Sequence, residues 1–238
     1  MRWLAGLFVL LASPAAAVTC EDVVHLDTSF TVCSVSVDED LQLFLRDNEG
    51  DILGSFNAVE RFEGRDLLFA MNAGMYHDDR DPVGHYVENG TQEMRVIASE
   101  GPGNFGLLPN GIFCIADTLR VYETLNFQAR QPDCTHATQS GPMLVIDGAL
   151  HPRFIANGTS KNIRNGVGTT ADGSQAIFAI SNDPVNFHDF GTLFRDHLNL
   201  PNALFFDGKI SRMYDSTSGR SDFGWQMGPI VGVLEPEE

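Results

Sequence analysis

Asp207 stands where a buried strand is predicted to end, which makes it the best-placed carboxylate in the chain for chemistry. The apolar run at residues 203–206 leads directly into it, and Gly208 opens a tight turn after it. A carboxylate at such a place is either a reacting group or a turn residue, because Asp-Gly is also common turn chemistry. Both interpretations stay open from the local pattern.

Arg164 opens the segment RNGVG, residues 164–168, and is the cation best suited to hold an anion. A guanidinium binds phosphate or carboxylate through two parallel hydrogen bonds. We expect Gly166 and Gly168 to leave the neighbouring backbone N–H groups unobstructed. The alternative is an arginine paired with one of the 32 acidic side chains, and the sequence leaves both possibilities open.

Neutral polar side chains lie close to glycine at the ends of several predicted strands. In such places the backbone approaches a ligand closely and side-chain amides can point at it. These residues are therefore candidate substrate-binding groups, although Asn-Gly is also a turn dipeptide. The candidates are Asn72, Asn110, Gln139, Ser140 and Asn165. A nucleophilic role for Ser140 is disfavoured, because Pro142 and a strand follow it instead of a helix.

Composition and motifs narrow the possible partners. The formal net charge of −17 argues against nucleic acid or an anionic membrane surface, so an anionic substrate needs a local basic site. No Gly-rich nucleotide motif is present, and the acidic loop HDDRDP at residues 77–82 lacks the spacing of a calcium-binding loop. We therefore predict no cofactor and no metal site.

The first 17 residues have the features of a secretory signal peptide. Arg2 precedes an apolar stretch at residues 4–11, and three alanines at residues 15–17 form a small-residue cleavage site. The apolar stretch is too short to span a bilayer, and we predict no stable membrane insertion. The prediction is an exported protein, periplasmic or extracellular, whose mature domain is residues 18–238.

The chain contains four cysteines, an even number that suits an exported protein. Three pairings are possible, and we predict Cys20 with Cys33 and Cys114 with Cys134 because each pair closes a short loop. A zinc site is the alternative. It is disfavoured because the sequence has no CxxC and no nearby HxxxH.

Short alternating apolar patterns predict roughly ten strands. The clearest helix precedes Asp207, with Asp189 as its predicted cap and Pro201 as its end. An Asn89-Gly90 dipeptide between two apolar segments predicts a hairpin. The predicted fold class is α+β, a strand-dominated mixed sheet with few helices in a single domain.

Taken together, the motifs resemble those of the phosphodiester glycosidase family. The resemblance spans about residues 31–216, and its segments occur in the family's order. They are MNAGMYHDDRDPVGHYVENG at 71–90, GNFGLLPNGIF at 103–113, ATQSGPMLVIDGALHPRF at 137–154, RNGVGTTADGSQAIFAIS at 164–181 and NALFFDG at 202–208.

The resemblance implies hydrolysis of a phosphorylated carbohydrate or glycan at the C–O bond of a sugar-1-phosphodiester. Phosphate is a weakly basic leaving group, so such a reaction needs a cation and a carboxylate more than a strong general acid. Arg164 is then expected to hold the phosphate, and Asp207 to act as nucleophile or base. The neutral polar residues would hold sugar hydroxyls or phosphate oxygens. Glu88 and Asp183 stay open as candidates for a second carboxylate.

Two departures from the family pattern lie where substrate would be held. The chain has DGKIS where the animal branch has DGGGS, and NAGMY in place of NGGFF. The reaction class therefore carries over more readily than the identity of the sugar. Two other functions stay open, a non-catalytic cell-envelope protein that binds glycan or phospho-sugar and a metal-dependent phosphoesterase.

Overall fold

The computed structural model describes residues 18–207 and 209–236. The predicted signal peptide at residues 1–17 lies outside the described residues, as does Gly208. Within these ranges the chain forms 17 strands, three α-helices and one π-helical segment. No helix in them is both long enough and apolar enough to cross a membrane.

The strands, in chain order, are β1 (Val18–His25), β2 (Thr28–Ser36), β3 (Leu41–Phe44), β4 (Leu67–Asn72), β5 (Tyr86–Glu88), β6 (Thr91–Met94), β7 (Gly111–Ile115), β8 (Leu119–Glu123), β9 (His136–Ser140), β10 (Met143–Ile146), β11 (Ala149–Leu150), β12 (Asn165–Thr169), β13 (Gln175–Ser181), β14 (Asn202–Phe205), β15 (Met213–Asp215), β16 (Arg220–Ser221) and β17 (Ile230–Leu234). The helices are α1 (Phe56–Glu63), α2 (Thr124–Arg130) and α3 (Phe187–Thr192), and α3 continues into the π-helical segment Leu193–His197.

The strands are arranged in three sheets. A seven-stranded sheet has the order β1-β2-β13-β12-β14-β10-β11, and two five-stranded sheets have the orders β16-β15-β4-β17-β3 and β6-β5-β9-β7-β8. The strand-dominated α+β class is confirmed. Pairing is antiparallel throughout the described strands, which corrects the expectation of a mixed sheet.

All three sheets contribute phenylalanines to one central aromatic cluster. Phe178 of the seven-stranded sheet lies 4.9 Å from Phe69 and 5.8 Å from Phe113, measured between ring centroids. Phe206 joins the same cluster at 6.5 Å from both Phe178 and Phe113. All four rings are fully buried. Because Phe206 immediately precedes Asp207, the packing of Phe206 in the core fixes the backbone position of the predicted catalytic residue.

Local signals predicted several elements correctly. The Asn89-Gly90 hairpin is confirmed: β5 pairs with β6, and both turn residues have the positive φ that this turn needs, at 49° and 72°. The strand before Asp207 is confirmed as β14. The predicted helix cap was wrong, because Asn186 rather than Asp189 caps α3, its side chain accepting the Asp189 N–H at 2.8 Å.

Both predicted disulfides are present. Cys20 bonds to Cys33 across the β1–β2 pair, where the two residues lie directly opposite each other. Cys114 of β7 bonds to Cys134, which lies in the segment between α2 and β9. The second bond therefore ties that connection to an interior strand of a five-stranded sheet. Paired cysteines are typical of proteins that fold in an oxidising compartment.

The glycines after Arg164 serve packing instead of anion binding. Gly166 and Gly168 lie in β12, a central strand whose backbone is paired with β13 and β14. The expectation that they leave backbone N–H groups open to a ligand was therefore wrong. A Cβ at Gly168 would lie 2.6 Å from Leu200 Cδ1 and 2.9 Å from Phe194 Cδ1. Gly168 is needed so that the helical segment before β14 can pack against the sheet.

We expect Gly168→Ala to lower the free energy of unfolding by about 1–3 kcal/mol, because the added methyl overpacks a buried contact. Urea denaturation monitored by circular dichroism measures the change. Gly101→Ala is the matched control, since its Cβ would meet nothing closer than 3.9 Å. Equal stability of the two variants would contradict this account of Gly168.

Candidate active site

A cavity of about 1290 Å³ opens among the loops that follow several strands. Arg164 and Asp207, the two predicted catalytic residues, both line it. Its other walls come from four loop segments and one further side chain: residues 75–78 with 80 and 83, residues 102–105, residues 209–210, residues 224–226 and Asn162. The structure thus places at one cavity two residues that lie 43 positions apart in sequence.

Arg164 is buried at the base of this cavity, with 1% of its surface exposed. Its Nε donates to the Val185 carbonyl at 2.9 Å, and its Nη2 donates to the Ser160 carbonyl at 3.2 Å. The guanidinium carbon lies 3.6 Å from the centroid of the Phe187 ring, a cation–π contact. Backbone carbonyls and an aromatic face therefore hold the charged group in one orientation.

No carboxylate in the described part of the chain offsets the Arg164 charge. Burial lowers the pKa of Arg164 to about 10, so the side chain is still a cation at neutral pH. Its Nη1 is buried and has no hydrogen-bond partner there. An unpaired buried cation is costly unless an anion binds to it. In the described part of the chain, Arg164 therefore lacks the acidic partner that the sequence left open as the alternative, and anion binding by Arg164 stays a prediction.

Hydrogen bonds hold the backbone around Asp207 on both sides. Its N–H donates to Asn165 Oδ1 at 3.1 Å, and its carbonyl accepts from Ser211 Oγ at 2.8 Å. The carbonyl of the preceding Phe206 accepts from Ser140 Oγ at 2.6 Å. The hydroxyl of Ser140 is therefore committed to positioning the chain just before Asp207.

Asn165 connects Asp207 to a second sheet. Its Nδ2 donates to Asn72 Oδ1 at 2.8 Å and to the Asn72 carbonyl at 3.1 Å. Asn72 Oδ1 also accepts the Arg212 N–H at 2.9 Å, while Asn72 Nδ2 is buried without a partner in the described part of the chain. These two amides join β4 to β12 directly behind Asp207.

Asn110 and Gln139 hold the loop that forms one wall of the cavity. Gln139 accepts the Ile97 N–H at 2.9 Å and donates to the Ile97 carbonyl at 2.6 Å. Asn110 Nδ2 donates to the Phe105 carbonyl at 3.1 Å, and Thr124 donates to Asn110 Oδ1 at 2.7 Å. These contacts fix the loop at two points.

The five predicted substrate-binding residues therefore form two groups behind the cavity. The first group supports Asp207 and comprises Asn72, Ser140 and Asn165; the second supports the wall loop and comprises Asn110 and Gln139. All five are buried, and none is among the residues that line the cavity. The structure shows how they position its walls, and direct contact with substrate stays a prediction for them.

Neither sequence candidate for a second carboxylate lines the cavity. Glu88 lies in β5 and accepts a hydrogen bond from the Tyr86 hydroxyl at 2.5 Å, and Asp183 is exposed elsewhere. Asp78 is the carboxylate that joins Asp207 among the lining residues of the described chain. It belongs to the acidic loop HDDRDP at residues 77–82, which was not among the predicted site segments.

Tyr76 is a lining residue that the sequence reasoning missed, although it lies in the motif MNAGMY. Burial raises its pKa to about 12, and the negative charge of Asp207 contributes to the shift. The phenol is therefore neutral at physiological pH and can donate a hydrogen bond.

The cavity is locally cationic. Its described lining carries three cations and two carboxylates, which are Arg80, Arg164, Lys209, Asp78 and Asp207. This balance contrasts with a chain whose net charge is −17. Within the described ranges, no group of three or more His, Cys, Asp or Glu side chains is arranged to hold a metal ion. The arrangement suits an anionic group that meets a carboxylate nearby.

Comparison with known proteins gives matches over most of the chain. A family model described as phosphodiester glycosidase matches residues 65–229. The chain is 32% identical over 230 residues to the uncharacterized protein YigE of Escherichia coli strain K12, a match that covers 94% of this chain and 89% of that protein.

A solved structure shares the fold. It is the catalytic domain of zebrafish N-acetylglucosamine-1-phosphodiester alpha-N-acetylglucosaminidase, auto-inhibited by its pro-peptide. The two structures align with a TM-score of 0.64, covering 94% of this chain and 86% of that one. Sequence identity across the alignment is 13%, so this likeness shows the fold alone.

The buried carboxyl of Glu88 predicts that the stability of the protein depends on pH. Burial raises its pKa from 4.5 to about 7, so between these values the folded chain binds a proton that the unfolded chain has released. Stability therefore falls as pH rises through this window. We expect Glu88→Gln to flatten the pH dependence of the free energy of unfolding between about pH 5 and 8.

Urea denaturation across this pH range measures the effect. Glu49→Gln changes an exposed carboxylate in a turn and is the control. Parallel pH profiles for wild type and Glu88→Gln would show that the environment of Glu88 does not shift its titration.

Proposed function

The chain belongs to the phosphodiester glycosidase family, and on that premise we propose that it hydrolyses a sugar-1-phosphodiester at the glycosidic C–O bond. The proposed substrate is a phosphorylated carbohydrate or glycan. We propose that Arg164 holds the phosphate and that Asp207 is the reacting carboxylate. The identity of the sugar is not part of the proposal.

The buried, unpaired guanidinium of Arg164 is the observation that carries this proposal. It lines the same cavity as Asp207, and its Nη1 has no partner in the described part of the chain. A phosphodiester oxygen would supply both the missing acceptor and the missing negative charge. Asp207 also has a turn role, because its Oδ1 accepts the Lys209 N–H at 2.9 Å, but that role alone does not account for a cation and a carboxylate around one cavity.

In the proposed reaction, the bond from the anomeric carbon to the phosphate oxygen breaks and its electron pair stays on that oxygen. The positive charge that develops on the sugar ring is stabilised by a carboxylate, and the negative charge on the departing phosphate by a cation. Arg164 is fixed in orientation before substrate arrives, so little reorganisation is needed during the reaction. The phosphate leaves as an anion and needs no strong acid to protonate it.

Asp207 either attacks the anomeric carbon or removes a proton from the water that does so. Its backbone is held by Asn165 and Ser211, and the carbonyl of the preceding Phe206 by Ser140, which fixes the reach of the Asp207 side chain. Neutral Tyr76 and the carboxylate of Asp78 are the other lining groups available to orient water or sugar hydroxyls. In either role, the oxygen of water ends on the sugar.

We further propose that the enzyme acts after export, in the periplasm or outside the cell, as residues 18–238. Support comes from the two disulfides, which suit an oxidising compartment. A small cytoplasmic enzyme would more commonly keep such cysteines reduced.

Hydrolysis in heavy-oxygen water tests the bond that breaks. The substrate is methyl N-acetylglucosamine-1-phosphodiester, which carries the linkage named for the zebrafish relative. Mass spectrometry should find the label in the free sugar. Label in the phosphate would overturn the proposal and indicate a phosphoesterase, and binding without turnover across a panel of diesters would indicate a glycan-binding protein.

Arg164→Ala should lower kcat/KM by about a hundredfold to a thousandfold, because a positioned charge is lost from the transition state. Arg164→Lys should also be strongly impaired, since lysine lacks the planar fork and the ring stacking. Arg195→Ala removes a half-buried arginine, paired with Asp196, that lies outside the cavity, and it is the control. Thermal unfolding of each variant separates lost activity from lost structure. Activity of Arg164→Ala within a few-fold of wild type would rule out phosphate binding by this residue.

Asp207→Asn should abolish turnover while binding of the diester persists, because the amide keeps the size of the carboxylate but cannot act as nucleophile or base. Calorimetric titration measures the binding. NMR of the first sugar formed by wild type then separates the two roles: retained configuration indicates a nucleophile, and inverted configuration a base. Near-wild-type turnover by Asp207→Asn would show that Asp207 is a turn residue and not a catalytic residue.

A further inference from the structure

We propose that the cavity beside His85 binds a small organic cation, a primary ammonium on an apolar body, which donates a hydrogen bond to His85 Nε2. This His85 cavity is separate from the candidate active site, and the described parts of the two share no lining residue. The site goes beyond the proposed function and does not depend on it. Three features support it: an unpaired acceptor on a buried imidazole, the rigid support of the ring and the chemistry of the walls.

The His85 cavity has a volume of about 440 Å³, which falls within the range of about 300–1000 Å³ for pockets that hold small ligands. Its walls come from the β5–β6 hairpin and the residues beside it, from α2 and from the segment between α2 and β9. Val87, Val96 and Phe127 contribute apolar surface. The space is therefore large enough for one small molecule with an apolar body.

The imidazole of His85 is buried, with 5% of the residue exposed. Its Nδ1 lies 2.9 Å from the Met94 carbonyl oxygen, which can only accept a hydrogen bond, so Nδ1 carries a proton. Burial lowers the pKa of His85, so the ring is neutral at about pH 7.5 and has no second proton. Nε2 therefore has a free lone pair and can only accept a hydrogen bond.

The Nε2 of His85 makes no hydrogen bond within the described part of the chain. It differs from the Nε2 of His151, which is also unpaired but is fully buried, whereas the Nε2 of His85 is accessible. Because His85 lines the cavity, a ligand can reach this atom. A polar atom without a partner in a largely buried ring is unfavourable, and a donor on the ligand would supply the missing hydrogen bond.

Contacts on several sides hold the His85 ring in one place. The His85 N–H donates to Gln139 Oε1 at 3.0 Å, and the His85 carbonyl accepts the Gln139 N–H at 2.8 Å. The bond from Nδ1 to the Met94 carbonyl fixes the rotation of the ring. The Phe127 ring packs beside it, with the two ring centroids 5.3 Å apart. The acceptor is therefore already oriented before a ligand arrives, which lowers the entropic cost of binding.

The walls favour an ammonium group over an anion. The described lining contains the carboxylate of Asp133 and no lysine or arginine. This carboxylate and His85 Nε2 both accept hydrogen bonds, whereas an ammonium group has three donors and no acceptor. The net charge of −17 also favours a cation. The candidate active site has the opposite character, because three cations line its described part.

Three probes that share one body and differ in head group test the site: benzylamine, benzyl alcohol and benzoate. Each is titrated into the full chain at about pH 7.5, and NMR follows the ring nitrogens of His85. Benzylamine should shift the Nε2 signal and bind up to about fivefold more tightly than benzyl alcohol, because of the nearby carboxylate. Benzoate should not shift it. An equal or stronger response to benzyl alcohol or benzoate would overturn the assignment of a cation. No response to any probe would mean that Nε2 accepts only from water and would overturn the site.

Calorimetric titration of variants provides the second test. The amide of His85→Asn can keep a donor near the position of Nδ1 but lacks Nε2, so this variant should bind benzylamine at least about tenfold more weakly. His197→Asn changes an exposed histidine outside the cavity and is the matched control. Thermal unfolding checks that each variant is folded. Wild-type affinity of folded His85→Asn for benzylamine would overturn the proposal.

Asp133→Asn keeps the test decisive if His85→Asn does not fold, because Asp133 is exposed. This variant should lose most of the preference for benzylamine over benzyl alcohol and keep the affinity for benzyl alcohol. An unchanged preference would overturn the assignment of a cation. None of these measurements requires turnover, so failure of the proposed function and failure of this site are distinguishable.

Discussion

The burial of Arg164 without a carboxylate partner is the constraint on which this site depends. Removing a charge from water is expensive, and an uncompensated buried ion costs several kcal/mol even after relaxation. Here two backbone carbonyls and the Phe187 ring recover part of that cost. The ring is in place because Asn186 caps the helix that begins at Phe187, so the cap, the helix and the guanidinium are positioned together. The remaining cost is the part that a bound phosphate can offset.

Asp207 is positioned by a different part of the fold. Phe206 belongs to the aromatic cluster in which all three sheets meet, and the next residue reaches the cavity. Behind it, the amides of Asn165 and Asn72 join two of the sheets. Arg164 is therefore held by groups at and just before the start of α3, and Asp207 is held by the core. The distance between the two residues depends on how these parts of the fold pack together. Rigid support of this kind is what a reaction needs when positioning contributes much of the rate.

The sequence predicted elements whose signals are local. The hairpin at Asn89 and the strand before Asp207 follow from turn chemistry and from a dense apolar run. The glycine-rich strand β12 escaped prediction because three of its five residues, Asn165, Gly166 and Gly168, have low strand propensity. Its place in the sheet depends on space required by Phe194 and Leu200. Asp78 escaped for a related reason: its loop is held by an ion pair between the neighbouring Asp81 and the distant Arg46, which composition does not reveal. The site candidates thus stay predictions, and the role of each residue depends on what its side chain faces in the fold.

The charges of the cavity indicate how an acidic protein can bind an anion. At long range, a chain of net charge −17 repels polyanions, and salt screens that repulsion beyond about 8–10 Å. At short range, the phosphate of the proposed substrate would meet Arg164 in a buried setting where screening is weak. Tyr76 adds no negative charge beside Asp207, because a phenol is neutral at this pH and burial raises the pKa of Tyr76 further, to about 12. The proposed site would then favour a single phosphate that can reach Arg164 over a polyanion that would have to stay at the acidic surface.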